Sequence, residues 1–370
     1  MTKPIPLSLP SVGFFEALAA FKAVRSGWLT QFGGEVHQME KNINDFYSGN
    51  SDRQIQTTST SNGTTALHLA LLALGVSPGD EVVIPNLSYI AVANAVLYCG
   101  AKPVVVDVSR DSWNIDLNGL LSSITQKTKA VVLVDNYGVR INSEVFRKTL
   151  PRNIAIIHDC AESFPAQVTK NGIGGADLVT LSCYANKVLT AGEGGAVIGN
   201  PEAIERIKIL KNQAQNPKQK FSHSELGFNY RITNMQAAVF NVQWRKRERL
   251  LKRRQKIFQW YFAALSASSI KWDTSFRNDS TPWLFTILVE NSNVSITKVI
   301  ELLKKDGVES RPGFTPIAST AYLVDKIRIS GSLIHSNELS KSIISLPTYP
   351  KLRQRDIKKI VNALQLAIGH

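Results

Sequence analysis

Five short apolar runs constrain the fold of this chain more than any other feature of its sequence. They are rich in valine, isoleucine and leucine, and most are bounded by glycine, proline, aspartate or lysine. Runs of this kind are typical of strands that are buried on both faces of a largely parallel sheet. The runs are residues 81–85 (EVVIP), 103–107 (PVVVD), 130–135 (AVVLVD), 154–159 (IAIIHD) and 178–183 (LVTLSC).

Helical segments lie between these runs. Residues 64–74 are apolar on nearly every side, which predicts a buried helix, and residues 88–98 and 143–150 also read as helices. Because strands and helices alternate along the chain, the sequence predicts an α/β domain.

The pattern changes near residue 240. Residues 236–257 read as one long, highly charged helix. After it come a strand at 283–289, a helix at 296–306 and a terminal helix at 355–368. This is an α+β pattern, and 370 residues exceed the usual length of one domain, about 100–200 residues. We therefore predict a large α/β domain over residues 1–245 and a smaller α+β domain over residues 246–370.

The charge balance is strongly basic, with a formal net charge of +14. Such an excess favours an anionic partner, which could be nucleic acid, a membrane surface or a phosphorylated small molecule. Much of it lies in two predicted helices. Residues 245–256 hold eight basic side chains and one acidic one, and residues 351–360 hold five and one. We expect these positions to form the solvated faces of the two helices.

Several classes of protein are disfavoured. No apolar run approaches the roughly 18–20 residues that span a bilayer, and residues 1–10 (MTKPIPLSLP) carry three prolines where a signal peptide would be apolar. The three cysteines are widely spaced without a C-x-x-C pair, so neither a disulfide scaffold nor a zinc site is expected. A cytoplasmic protein without a metal is the prediction. A P-loop and the G-x-G-x-x-G spacing of a dinucleotide site are also absent from the sequence.

Three local features could carry chemistry. Residues 61–65 (SNGTT) open the buried helix, and small residues there can cradle a phosphate; a plain helix cap is the alternative. Asp159 ends a predicted strand, where α/β sheets bind ligands, although it could equally cap the next turn. Lys187 follows another strand and precedes TAGEGG (190–195), so it could form a Schiff base or could be a solvated surface residue.

The order of these features matches the needs of pyridoxal 5′-phosphate. Its phosphate favours a helix N-terminus, its pyridinium nitrogen a carboxylate, and its aldehyde a lysine. An aromatic side chain should stack on the ring, and Tyr89 follows the strand EVVIP.

With these residues in place, the chain resembles the DegT/StrS-type family of pyridoxal-phosphate sugar aminotransferases over nearly its whole length. The resemblance implies the α/β fold of fold type I enzymes, with a large, mixed, mostly parallel sheet and a smaller C-terminal domain. The matching segments begin at SGWLT (26–30) and continue through residues 61–96, HDCAES (158–163), YANKVLTAGEGGAV (184–197), GFNYRITNMQAA (227–238), ESRPGFTP (309–316) and SLPTYP (345–350).

The resemblance also implies roles for individual residues. Lys187 matches the lysine that binds the cofactor and moves the proton, and Asp159 matches the partner of the pyridinium nitrogen. Asn229 matches an asparagine that reaches the cofactor phosphate of the neighbouring subunit, which implies a homodimer with shared active sites. The other predicted cofactor contacts are Tyr89 against the ring, Gly63, Thr64 and Ser182 at the phosphate, and Glu162, which stands where many members carry glutamine.

The implied reaction moves an amino group from a donor, expected to be L-glutamate, to a nucleoside-diphosphate keto sugar. The Ala-Glu-Ser form of residues 161–163 is similar to the GDP-perosamine synthase-like branch, which aminates a 4-keto-6-deoxy sugar and is associated with O-antigen synthesis. The predicted substrate contacts are Trp28, Thr30, His223, Arg231 and Arg311. For His223 an ordinary loop histidine is the alternative, and for the two arginines structural ion pairs are.

Three other functions stay open from sequence alone. Some family members are dehydratases with histidine in place of the lysine, and Lys187 argues against that chemistry. A pyridoxal-phosphate enzyme acting on amino acids is another alternative. A nucleic-acid-binding regulator could use the basic segment 245–256, but it has only the flanking Trp244 and Trp260 as aromatic platforms and no recognised binding motif. Binding to neither nucleic acid nor membrane is therefore expected.

Overall fold

A computed structural model describes residues 4–49, 53–166, 172–219, 221–290 and 294–369; the first three residues of the N-terminal segment discussed above lie outside this part. In chain order its helices and strands are α1 (Phe14–Arg25), α2 (Gly34–Ser48), β1 (Gln56–Thr60), α3 (Gly63–Ala73), β2 (Glu81–Pro85), α4 (Ala91–Tyr98), β3 (Lys102–Val106), α5 (Leu117–Ser123), β4 (Thr128–Val134), α6 (Ser143–Thr149), β5 (Ala155–Asp159), β6 (Leu178–Ser182), β7 (Gly195–Gly199), α7 (Pro201–Leu210), α8 (Asn234–Arg245), α9 (Arg247–Ser266), β8 (Trp272–Asp273), β9 (Phe285–Val289), α10 (Ile296–Lys305), β10 (Arg311–Pro312), β11 (Arg328–Ile329), α11 (Ile334–Ser342), β12 (Ile343–Leu346) and α12 (Gln354–Gly369).

The larger sheet has the strand order β1-β7-β6-β5-β4-β2-β3-β11. Strand β7 runs antiparallel to both of its neighbours, and the other pairs are parallel. The α/β fold with a mixed, mostly parallel sheet is thus confirmed, as are the five predicted strands. Strands β1 and β7 were not predicted, because QTTST has few apolar residues and GAVIG is bounded by glycines.

Helices cover both faces of this sheet, which explains why its strands are apolar throughout. Alternate residues of each strand belong to two different cores. On one face, Val83 and Leu133 pack in a core that includes residues of α2 and α8. On the other face, Ile84 and Val132 pack with residues of α3, α4 and α7. Helix α3 is buried from Thr65 to Leu71, as its sequence predicted.

The second sheet is antiparallel, with the order β10-β12-β9-β8. Helices α9, α10 and α12 pack on it around a separate core that contains Phe258, Tyr261 and Phe285. Strand β11, although late in the chain, pairs with β3 of the larger sheet. The division of the chain at residue 245 stays a prediction.

The prediction of one long helix over residues 236–257 is wrong. Helix α8 ends at Arg245 and α9 begins at Arg247, with Lys246 as the joint. Phe240 of α8 packs in a core of the larger sheet, whereas Ile257 of α9 packs in the core of the second sheet. Leu250, in the first turn of α9, still packs in the same core as Phe240, so α9 leads from the core of the larger sheet to that of the second sheet.

The expectation that residues 245–256 form a solvated face is wrong for Arg254, which is buried. Its Nη1 donates to the carbonyl oxygens of Trp283 at 2.6 Å and Thr348 at 3.2 Å, and burial lowers its pKa to about 10. The neighbouring Arg253 donates through Nε to the carbonyl of Pro350 at 2.8 Å. Hydrogen bonds from these two arginines therefore connect α9 to the second sheet.

Within the described ranges, every helix is either too short or too polar to cross a bilayer.

Candidate active site

A cavity of 430 Å³ lies where the parallel strands of the larger sheet end. Asp159 and Ser182, the last residues of β5 and β6, are on its wall. This is the edge at which open α/β sheets bind ligands. The cavity brings together eight of the predicted site residues, namely Gly63, Thr64, Tyr89, Asp159, Glu162, Ser182, Lys187 and Arg311.

One end of the cavity is the N-terminus of α3. Asn62 and Thr65 form a capping box, in which the Asn62 side chain accepts from the Thr65 amide at 2.9 Å and Thr65 Oγ1 accepts from the Asn62 amide at 3.2 Å. The amides of Gly63 and Thr64 lie between them, and an α-helix cannot satisfy its own first amides. These two residues line the cavity, so their N–H groups and the helix dipole suit an anion.

Gly63 also permits close packing against β6. A Cβ at this position would lie 2.9 Å from Ser182 Cβ, closer than side-chain atoms normally come. The absence of a side chain lets the first turn of α3 and the Ser182 hydroxyl approach one another. Backbone donors and a hydroxyl thus lie side by side, as a phosphate requires.

Asp159 is a buried carboxylate in the cavity wall. Its Oδ1 accepts from the Ala161 amide at 3.0 Å and from Thr180 Oγ1 at 3.3 Å, so among the described residues Oδ2 is the oxygen that a ligand can meet. Burial raises the pKa of this carboxyl, and the positive charge of Lys187 partly opposes the shift. A cationic N–H bound at Oδ2 would compensate the buried charge.

Lys187 lies between a carboxylate and an aromatic face. Its Nζ is 3.5 Å from Glu162 Oε1 and 3.9 Å from the centroid of the Trp283 ring. The lysine side chain is only 12% exposed. The alternative of a solvated surface lysine is therefore wrong, because this amine faces a confined cavity.

Glu162 is the second buried carboxylate of the cavity. Its Oε2 accepts from the amide of Tyr137 at 2.7 Å. Burial raises its pKa to about 7, and the charge of Lys187 limits the shift. At neutral pH this group can therefore exist in either protonation state, next to the lysine amine.

Aromatic side chains form part of the cavity wall. Tyr89 is 59% exposed, and its ring centroid is 6.1 Å from that of Phe314. Phe314 stacks on Tyr137 at 4.8 Å and donates its amide to the Tyr137 hydroxyl at 2.9 Å. Arg311, on the same wall, is mostly exposed and lies 3.6 Å from Glu309 Oε1.

Five predicted site residues lie outside the lining of this cavity: Trp28, Thr30, His223, Asn229 and Arg231. Trp28 is 59% exposed. The Nδ1 atom of His223 is 2.7 Å from the carbonyl of Gln213, and Arg231 donates to the Asn229 side chain at 2.7 Å. A single chain therefore does not bring these residues to Lys187, and their roles stay predictions.

Among the wall residues to which the sequence assigned no role are Trp283, Phe314 and Tyr137. Trp283 and Phe314 lie in segments that were read as a strand and a matching motif, without a role for either side chain. Tyr137 follows the predicted strand 130–135, and no role was predicted for it. An aromatic residue at the edge of a strand was the available signal, but nothing local shows which cavity it faces.

The residues present fit pyridoxal phosphate. The helix amides and Ser182 suit its phosphate, the Asp159 carboxylate suits a protonated ring nitrogen, and the amine of Lys187 suits its aldehyde. The exposed ring of Tyr89 offers a stacking surface.

Another polar cluster lies beneath the cavity. Asp135, His158 and Cys160 place potential ligand atoms within 4.8 Å of one another. Asp135 accepts from Ser163 Oγ at 2.5 Å and from the Ile141 amide at 2.8 Å, and its Oδ1 is 2.7 Å from His158 Nε2. These contacts describe a hydrogen-bonded network around the Asp135 carboxylate.

Comparisons with known proteins identify the family of the chain. The model of the DegT/DnrJ/EryC1/StrS aminotransferase family matches residues 13–365, and the chain belongs to that family. It is 32% identical to the GDP-perosamine synthase of Caulobacter vibrioides, covering 97% of both chains, and 30% identical to that of Vibrio cholerae, covering 98% of both. The sugar aminotransferase Spr1654 from Streptococcus pneumoniae in its PLP-form has a TM-score of 0.87 and 25% identity, over 99% of each chain.

The chain is therefore an aminotransferase that uses pyridoxal 5′-phosphate.

Proposed function

We propose that this enzyme transfers an amino group to the 4-keto carbon of a 6-deoxy sugar that is attached to a nucleoside diphosphate. L-Glutamate is the proposed donor, and a surface polysaccharide such as O-antigen is the proposed destination. The observation that carries the proposal is the Lys187 amine next to Glu162, in one cavity with Asp159 and the start of α3. The similarity to GDP-perosamine synthases over almost the whole chain supports the sugar substrate.

Several residues of the cavity wall have proposed roles in binding the cofactor. Gly63, Thr64 and Ser182 bind its phosphate, because two helix amides and a hydroxyl meet there. Asp159 binds the ring nitrogen, and Tyr89 covers the ring face.

When bound, pyridoxal phosphate supplies an electron sink for the charge that develops at the amino-bearing carbon. Lys187 would hold the cofactor through its aldehyde, and its free amine would hold and move a proton at Nζ. Glu162 would hold Nζ inside the cavity, since its Oε1 is 3.5 Å away and its Oε2 accepts from the Tyr137 amide. A positioned proton-transfer group of this kind accelerates a step by about 10²–10⁴-fold.

The proposed assembly is a homodimer in which each cavity is completed by the partner. Large apolar side chains of the N-terminal region are exposed, among them Phe14, Phe21, Trp28 and Phe32. Exposed apolar patches of this kind mark interaction surfaces. In a dimer, the segments that carry Asn229 and the other outlying residues can reach the cavity of the second chain.

The diphosphate of the sugar nucleotide is the proposed ligand of Arg311, whose exposed guanidinium stands at the cavity wall. Nucleic acid and membrane are not proposed as partners, because the basic segment 245–256 has no recognised binding motif. The three buried free cysteines suit the reducing cytoplasm, where we place the reaction.

Substitution of the lysine tests the proposal. We expect Lys187→Ala to lower turnover of a 4-keto-6-deoxy sugar nucleotide by at least about 10²-fold, since the positioned base is lost. The wild-type protein reduced with borohydride should carry the cofactor label on Lys187, as peptide mass spectrometry would show.

A substrate panel tests the sugar. The purified enzyme is supplied with glutamate and either keto sugar nucleotides or keto acids. Amination of the keto acids alone would contradict the proposal, as would wild-type turnover by Lys187→Ala.

A further inference from the structure

We propose that Trp283 is a positioning residue that keeps the free amine of Lys187 inside the cavity. The inference rests on the proposed function of Lys187 and goes beyond it, because Trp283 belongs to the segment that leads into the second sheet. It precedes β9 by two positions and is 4% exposed.

The indole face is the first contact. The Nζ atom of Lys187 is 3.9 Å from the ring centroid, within the range of a cation–π interaction. Tryptophan is the best aromatic partner for an ammonium group, and the attraction grows when the pair is shielded from water. Glu162 Oε1 contacts the same nitrogen at 3.5 Å, so a carboxylate and an aromatic face together define where the amine stands.

The indole N–H is the second contact. Nε1 of Trp283 donates to the carbonyl of Asn186 at 3.0 Å, the residue just before Lys187. The Trp283 side chain therefore contacts both the backbone next to Lys187 and the Nζ atom of Lys187. Packing of the indole alone would require neither the hydrogen bond to Asn186 nor the contact with Lys187 Nζ.

Trp283 is itself held by buried polar contacts. Arg254 donates to its carbonyl at 2.6 Å, and Thr281 Oγ1 donates to the carbonyl of Ser163 at 2.6 Å. The Thr281 amide also donates to the carbonyl oxygen of Gly138 at 2.8 Å. The segment 281–283 is thus tied both to α9 and to loops of the larger sheet, which gives the indole a defined position over the lysine.

This arrangement matters when the amine is free. A lysine side chain has many rotamers, and proton transfer requires Nζ to stay within reach of one carbon. Removal of the aromatic face should therefore slow the steps that need Lys187, and should leave the binding steps that do not need it nearly unchanged.

The experiment compares two probes on full-length protein freed of cofactor. Pyridoxamine phosphate binds without using the lysine, and its affinity is measured by calorimetry. Pyridoxal phosphate must be captured by the lysine, and the capture rate at saturation is followed by absorbance and confirmed by borohydride labelling of Lys187.

The variants separate the aromatic face from simple packing. For Trp283→Met we expect capture to slow by at least about fivefold, because Nζ loses the indole surface that holds it within reach of the aldehyde, while affinity for pyridoxamine phosphate stays within about twofold. Trp283→Phe keeps a ring face but loses the hydrogen bond to Asn186, so its capture rate should lie between those of the wild type and Trp283→Met. Trp260→Leu is the matched control. The Cζ atom of Arg253 lies 4.8 Å from the centroid of the Trp260 ring, and Trp260 is not part of the cavity lining.

Two results would overturn the inference. One is wild-type capture by Trp283→Met, and the other is an equal loss of pyridoxamine phosphate affinity, which would indicate a merely structural role. Because Met and Phe variants are compared with each other, a shared loss of stability does not hide the difference. If wild-type protein captures no cofactor on Lys187, the proposed function fails, and this inference fails with it.

Discussion

The buried carboxylate of Glu162 should make the protein less stable as the pH rises, and Glu162→Gln should remove this effect. The side chain is 5% exposed, and burial raises its pKa from 4.5 to about 7 despite the nearby lysine. The folded state therefore binds a proton that the unfolded state has already released. The stability from this group is fully present below pH 4.5 and is lost as the pH rises through about 7.

The size of the effect follows from the shift. A rise from 4.5 to about 7 corresponds to about 3 kcal/mol, at roughly 1.4 kcal/mol for each pH unit. Part of this is already lost at pH 5, where the unfolded carboxyl is largely ionised. Between pH 5 and pH 8.5 the group should lower the free energy of unfolding by about 2.5 kcal/mol, which for a chain of this length is about 3 °C in melting temperature.

The assay measures denaturant unfolding of the cofactor-free protein at pH 5 and pH 8.5. Glutamine resembles the protonated acid, so Glu162→Gln should lose about 2.5 kcal/mol less than the wild type over this range. Glu301→Gln is the control for loss of a charge, because its carboxylate is 57% exposed at the surface. Equal pH dependence of the wild type and Glu162→Gln would refute the argument that burial controls this carboxyl.

Two further predictions concern positions away from the amine. Gly138→Ala should lower the free energy of unfolding by about 2–4 kcal/mol, since its φ is +85° and a Cβ would lie 2.1 Å from the carbonyl oxygen of Thr281. Gly27→Ala is the control, because Gly27 has φ +76° but open space around it, and it should lower the free energy of unfolding clearly less in the same denaturant titration. Equal losses would count against the steric argument. Burial among aromatic rings lowers the pKa of His68 to about 4, so its stability contribution is present above pH 6.5 and about 3 kcal/mol of it should be lost by pH 4. His68→Phe should lack that part of the acid sensitivity in urea titrations at pH 7 and pH 4, and an unchanged acid dependence would contradict it.

Much of the large domain could be predicted because its signals are local. A strand buried on both faces must be apolar throughout, so β2 to β6 are visible as runs of valine, isoleucine and leucine. Lys187 and Asp159 follow such runs directly, and the start of α3 is marked by its small polar residues. The family motifs cover the same positions, so the cofactor could be inferred without coordinates.

The second half of the molecule was less predictable because packing decides it. Residues 236–257 have continuous helical character, yet α8 and α9 separate at Lys246, and α9 passes from the core of the larger sheet to that of the second sheet. Arg254 is a charged residue in a charged segment, and its burial follows only from the approach of the second sheet.

The sequence alone therefore determined the alternating strands and helices of the larger sheet, the lysine and carboxylate near the strand ends, and the small polar residues that open α3, because each depends on residues adjacent in the chain. The tertiary structure decided which distant residues meet that lysine. Trp283 comes to Lys187 across 96 positions, and the contact exists because the second sheet packs against the carboxyl edge of the first. No local pattern can encode such a meeting, since it depends on the folding of all the chain between.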